Sequence, residues 1–125
     1  MMLIDILRED EQGNVYVLRE PGGLTVDWRG KRVTVPYGFR SDGASVPRFF
    51  WRWVFPPGDT RALRAAFVHD WIYRTHPDGW TKAEADQLFC ELLIGDGMPE
   101  RFARRAYWGV RLFGGDSWHQ GGMVK

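Results

Sequence analysis

The chain has almost no cysteine, no long apolar run and almost no net charge, and each shortage removes a class of protein. A single cysteine, Cys90, leaves no partner for an intrachain disulfide and rules out a multi-cysteine zinc site. Its expected state is a small buried hydrophobe on a helix. No apolar stretch approaches the roughly 20 residues that a membrane-spanning helix needs, so no transmembrane segment is expected. The start, Met-Met-Leu-Ile-Asp-Ile, has acidic residues close behind it and no basic region. It does not read as a secretory signal, so a cytosolically made, soluble chain is expected. Seventeen basic residues against 16 acidic give a formal charge of +1. That near-balance argues against general, charge-driven binding of nucleic acid or anionic lipid, although a local basic patch remains open.

What the chain does have is aromatic bulk and glycine. Seven Trp and eight Phe bring the aromatic share, with Tyr, to 15%. A core of large side chains follows, and aromatics left on the surface would mark a partner or a membrane interface. At 125 residues the chain fits one domain. A domain of this size buries about two thirds of its unfolded surface, enough to fold without a metal or disulfide.

The pattern divides that domain into a β-rich part (1–36), an ordered loop (37–58), a helical part (59–114) and a loose tail (115–125). Residues 14–19, Asn-Val-Tyr-Val-Leu-Arg, are rich in β-formers and bounded by turn residues. Leu24 to Trp28 alternates apolar and polar, Arg29-Gly30 turns the chain, and Arg32 to Val35 alternates again, which predicts an antiparallel hairpin with one buried face. Tyr37 to Arg48 has neither helical nor strand period and predicts a loop, followed by the aromatic stretch Phe49 to Phe55.

Three helices follow. Asp59 or Thr60 caps the first, which runs to about Thr75 with Leu63, Ala66, Phe67 and Trp71 on its inner stripe. Thr81-Lys82-Ala83-Glu84 has the spacing of a capping box and opens the second, which ends at Gly95-Asp96-Gly97. Pro99 opens the third, with Phe102, Ala106, Val110 and Phe113 on one face and Gly114-Gly115 at its end. The fold class is therefore α+β: an N-terminal antiparallel hairpin or small sheet, a long loop and a C-terminal three-helix unit.

The candidate chemistry lies on the first two helices. His69 and Tyr73 are four apart and share a face, and Asp70 is one step round. Their flanks, Ala65 to Val68 and Trp71-Ile72, are apolar, so polar groups here need buried partners. A short turn at His76-Pro77-Asp78-Gly79 makes the two helices antiparallel neighbours and brings Asp86 opposite the first helix's end. An Asp behind a His fixes the ring's tautomer and leaves the other nitrogen as a base for water. Asp70 offers oxygen to a hard cation such as Ca²⁺, with the Gly38 to Val46 loop supplying further oxygens. The same residues also serve as a hydrogen-bonded staple in a helical hairpin, and the residue types leave both readings open.

Other candidates have plain roles. Ser45, in Gly43-Ala44-Ser45-Val46-Pro47, is no nucleophile elbow, because no glycine follows and proline blocks the helix. Asp42 is a turn residue by type and a ligand candidate by position. His76 and His119 are expected to be exposed. Arg61, Arg64, Arg101, Arg104 and Arg105 read as solvated helix faces, with a phosphate-facing role as the alternative.

Two resemblances bear on function. Val35 to Arg48, with Val68-His69-Asp70-Trp71-Ile72-Tyr73, Glu84-Ala85-Asp86-Gln87-Leu88-Phe89 and Tyr107 to Gly114, resembles a family of small proteins of unassigned function encoded in tailed phages and prophages. That resemblance implies a virion- or tail-associated component or an accessory factor in the host cytoplasm, with a virion or host protein as partner. Phe49 to Phe55 would then be a contact surface. His69-Asp70-x-x-Tyr73 with Ala85-Asp86-x-x-Phe89 is also similar to the helical core of calcium-dependent phospholipase A2 enzymes. It implies an antiparallel helix pair with His69 as the catalytic base, oriented by Asp86 and Tyr73. Asp70 would hold Ca²⁺, with Asp42 and loop oxygens as further candidates, and a phospholipid would be the substrate. The Gly-x-Gly calcium loop that precedes the helix in those enzymes is absent here.

Overall fold

A computed structural model describes residues 4–10, 13–41, 63–115 and 118–119. Side chains are described from residue 17 onward, apart from Ser41 and Leu63. Phe49 to Phe55, Asp42, Ser45, the capping candidates Asp59 and Thr60, and Arg61 lie outside the described residues.

Five strands come first: β1 (Ile4–Asp10), β2 (Gly13–Leu18), β3 (Leu24–Trp28), β4 (Lys31–Val35) and β5 (Arg40–Ser41). Three helices follow: α1 (Leu63–Thr75), α2 (Lys82–Gly95) and α3 (Glu100–Phe113). The α+β class and the order of its parts are as expected from the sequence.

The hairpin of β3 and β4 shows why its sequence alternates. Leu24, Val26 and Trp28 pair with Val35, Val33 and Lys31 along the inner face, where the valines and Trp28 are buried. On the outer face, Thr25 pairs with Thr34 through their hydroxyls (3.0 Å), and Arg32 Nε donates to Asp27 (2.7 Å). Arg29 and Gly30 both take positive φ, 49° and 78°, as the two-residue turn of a right-twisting hairpin requires. The hairpin tip rests on α2. Trp28 stacks on Trp80 with ring centroids 5.6 Å apart and donates its indole N–H to Glu91 (2.9 Å). Lys31 reaches both Glu84 and the Gly79 carbonyl.

The second sheet is larger than the sequence suggested. Its order is β1-β2-β5, antiparallel throughout, with a bulge between Arg8 and Asp10. The expected strand at 14–19 is β2, but the strand β1 is not among those expected from the sequence, and Arg40–Ser41 pairs with Val17 and Tyr16 instead of remaining loop. Both added strands lie at the edges of this sheet, each paired antiparallel with β2.

Helix α1 is buried on more than one side: Ala65, Phe67, Val68, His69, Asp70, Ile72 and Tyr73 are all enclosed. The expected stripe is therefore corrected, since Ala66 and Trp71 are only half-buried. The reason is that α1 packs against α2, β4 and β5 together, so no single 3.6-residue stripe describes it. The capping box of α2 is present: the Glu84 N–H donates to Thr81 Oγ1 (3.2 Å) and the Thr81 N–H donates to Glu84 Oε1 (3.1 Å). Arg64 clasps Asp96 with two bonds of 2.7 and 2.9 Å, joining the start of α1 to the end of its antiparallel neighbour.

Helix α3 buries Ala103, Ala106, Gly109 and Val110. Phe113, expected on that face, is 55% exposed at the helix end. The expected loose tail is corrected at Trp118, whose N–H donates to Gly114 O (3.0 Å) and whose indole meets Tyr73 edge-on. No described helix is long and apolar enough to cross a membrane.

Candidate active site

Asp86 is the hub of a polar network inside this helical packing. It is fully buried, yet its two oxygens receive four donors from all three helices. His69 Nε2 lies 2.8 Å from Oδ1, and the Tyr73 hydroxyl donates to the same oxygen at 2.5 Å. Lys82 Nζ donates to Oδ2 at 2.8 Å and Arg111 Nη1 at 3.2 Å. The first two donors come from one face of α1, as their four-residue spacing demands. The third sits one turn before Asp86 on α2, and the fourth arrives from α3.

The charges follow from the surroundings. Burial alone would raise the Asp86 carboxyl, but hydrogen bonds from His69, Lys82 and Tyr73 outweigh it and hold it below the usual carboxylate range. Burial pushes the His69 imidazole down, and this exceeds the upward pull of Asp86. Burial, with the Asp86 charge and hydrogen bond, drives the Tyr73 phenol far above its ordinary value, so it stays protonated as a donor. At neutral pH the site is thus a neutral imidazole on an ionised carboxylate. A carboxylate can only accept, so Nε2 carries the proton and Nδ1 carries the lone pair. No described residue bonds Nδ1. The ring is 2% exposed and lies between Tyr73 and Phe89, 4.1 and 4.7 Å between centroids.

Lys82 does more than neutralise Asp86. Its Nζ also donates to Val110 O (2.9 Å) and Arg111 O (3.4 Å), carbonyls in the last turn of α3. A cation at that end also offsets the helix dipole. Gly114, just beyond, is buried, and a Cβ there would stand 2.8 Å from the Tyr73 hydroxyl and 2.5 Å from Val110 O. Glycine is required by this close approach.

Asp70 points elsewhere. It is 4% exposed and pairs with Arg74 Nε at 3.3 Å. Arg74 in turn donates to Arg40 O (3.2 Å) and lies over the Phe39 ring, which ties α1 to β5. A Ca²⁺ ion at Asp70 would compete with this guanidinium. Among the described residues no group of three or more His, Cys, Asp or Glu side chains gathers to hold a metal. These residues alone do not fit the ion, and Asp42 lies outside the described set.

The structure therefore brings together His69, Tyr73 and Asp86 and sets Asp70 apart on an ion pair. Lys82 and Arg111 had not been singled out from the sequence. The Lys82 to Asp86 spacing of four was a readable signal, whereas nothing local marks Arg111. His76 is corrected: its ring stacks on Trp118 at 3.7 Å and its Nε2 is buried, while His119 is exposed as expected. Cys90 is half-buried on α2, and burial pushes its thiol up.

Fold and site together define a small α+β domain organised around a buried His–Tyr–Asp network. Residues 20–110 match the family described as Protein of unknown function (DUF1353), and the chain belongs to that family. The match takes in β3 to nearly the end of α3, and with it His69, Asp70, Tyr73, Lys82 and Asp86. The chain is similar to two uncharacterized proteins of Sinorhizobium fredii (strain NBRC 101917 / NGR234). It is 32% identical to y4jT over 90 residues, which are 72% of this chain and 26% of that protein. It is 28% identical to y4iH over 89 residues, 71% of this chain and 34% of that protein. The chain thus spans a minor part of the relatives it matches. No solved structure matches it. Neither the family description nor these names carries a phage origin or a phospholipase activity.

Proposed function

We propose that the chain is a hydrolase of carboxylic esters in which His69 activates water, with the phospholipase-like reading as its most specific form. The observation that carries this is the 2.8 Å contact of His69 Nε2 with Asp86 Oδ1, an oxygen also fixed by Tyr73. Asp86 holds the ring in the tautomer whose Nδ1 accepts a proton. In the reaction, Nδ1 takes a proton from water as its oxygen adds to the ester carbonyl. The imidazolium formed is stabilised by Asp86. It then returns that proton to the departing alkoxide, and the acid and alcohol are released. No step is routed through calcium.

The test is hydrolysis of short-chain chromogenic esters and of phospholipid, with and without calcium. Turnover by the wild type, falling about 10²–10⁴-fold in His69→Gln with the fold retained, is expected for a general base.

One observation favours a second reading. His69 is enclosed and Asp86 is saturated by four donors, as suits a packing device. The chain would then be a noncatalytic phage-encoded component acting in the virion or host. No turnover under any condition, with His69→Ala destabilised by about 1–3 kcal/mol through unpaired partners, would favour it.

A further inference from the structure

The outer face of α3 is unlike the rest of the surface. Arg101, Arg104, Arg105, Trp108 and Leu112 follow each other at intervals of three, one, three and four residues, so all five project from one side. This side lies opposite Ala103, Ala106 and Val110, which pack inward. All five are exposed; Trp108 is 60% and Leu112 70% accessible. Singly exposed apolar residues are ordinary, but a tryptophan and a leucine one turn apart, continued by three guanidiniums, form a patch.

The face is also ordered along the helix axis, with cations on the first half and apolar groups on the second. Glu100, which pairs with Arg104, is the one acidic side chain on α3. Charge complementarity therefore points to an anionic partner, and a second copy of the same cationic face meets that need poorly. A partner must also receive an indole and a leucine beside the cations. An anionic bilayer surface does both, because guanidiniums pair with phosphates while Trp and Leu enter the headgroup boundary. The apolar half is the C-terminal half, whose bare carbonyls would ordinarily resist leaving water. Here Lys82 takes Val110 O and Arg111 O, and the Gly114 N–H also bonds Val110 O. That end of α3 is capped from within and can enter the interface at reduced cost.

We infer that the Arg101–Leu112 face of α3 is a peripheral docking surface for anionic phospholipid membranes. It stands independently of the ester-hydrolase reading, since a noncatalytic chain would dock by the same face.

The experiment is co-sedimentation of the full chain with vesicles of ether-linked lipids, which contain no carboxylic ester to cleave. One set is phosphatidylcholine alone and the other is phosphatidylcholine mixed with phosphatidylglycerol. Binding is expected on the anionic vesicles, weakened by salt and poor on the zwitterionic ones. Neutralising all three arginines (R101Q, R104Q and R105Q together) should weaken it roughly 125-fold, at about a fivefold loss per surface charge. Trp108→Ala should weaken it independently of salt. Both variants change exposed side chains and should melt with the wild type, so a loss of binding is not a loss of fold. Absence of binding to anionic vesicles overturns the inference, as does equal binding by the variants. Self-association in solution that is abolished by Trp108→Ala, without vesicle binding, would assign the face to a second copy instead.

Discussion

Lys82 and Asp86 stand one turn apart on α2, and their 2.8 Å ion pair links the third helix to the His69 network. The same ammonium holds the α3 carbonyls of Val110 and Arg111, so one side chain serves both packing and electrostatics. It is the cation nearest the fully buried carboxylate, at 2.8 Å against 3.2 Å for Arg111.

Lys82→Met keeps the apolar stem and removes the charge. It is expected to cost about 3 kcal/mol in urea unfolding, the low end for breaking a buried pair, because Arg111 remains on the same oxygen. Arg111→Met should cost less, its side chain being one-third exposed at 33%. The reverse order would show that Asp86 depends on the third helix for its charge balance.

The His69 imidazole is pushed down from 6.5 in the folded chain, so the unfolded chain binds a proton first as pH falls. Stability therefore declines with falling pH from 6.5 to the lower folded value, at up to about 1.4 kcal/mol per pH unit. Asp86 adds a second decline below 3.8, its contribution being lost as pH falls through its depressed folded value. Thermal melts of wild type and His69→Gln should diverge below 6.5, the variant being flatter. Parallel curves would mean that His69 is not held neutral by the fold. If His69 is the base, ester hydrolysis should keep its full rate above 6.5.

Gly114→Ala places a Cβ 2.8 Å from the Tyr73 hydroxyl and 2.5 Å from the Val110 carbonyl oxygen. Something must move, at an expected cost of about 1–3 kcal/mol. Gly115→Ala meets nothing within 4 Å and should be close to neutral, which makes it the matched control.

Calorimetry with calcium tests Asp70 directly. The Arg74 guanidinium, 3.3 Å from its carboxylate, is expected to leave no saturable heat at millimolar calcium. Saturable heat that disappears in Asp70→Asn would show that the ion displaces Arg74, and would place calcium at Asp70.

Much of the site is legible in the sequence. The four-residue interval from His69 to Tyr73 puts both side chains on one helix face, and the short turn after Thr75 brings α2 back alongside with Asp86 facing inward. What misled was α1 itself: its aromatics suggested a stripe through Ala66 and Trp71, whereas three neighbours bury it on several sides. His76 sits in a polar turn and read as exposed, because nothing near it in sequence announces Trp118, 42 positions on.

The sequence by itself determined the features that close within a few residues. The β3–β4 hairpin follows from its alternation and Arg29-Gly30, the α2 start from Thr81 and Glu84, and the His69–Tyr73 face from helical period. Backbone geometry alone sets those relations. Only the tertiary structure decided which partners cross the chain. It brought Arg111 to Asp86 across 25 residues and Lys82 to the end of α3, and it paired Arg40–Ser41 with β2. Burying a carboxylate requires donors, and which distant side chains supply them depends on where the helices come to rest.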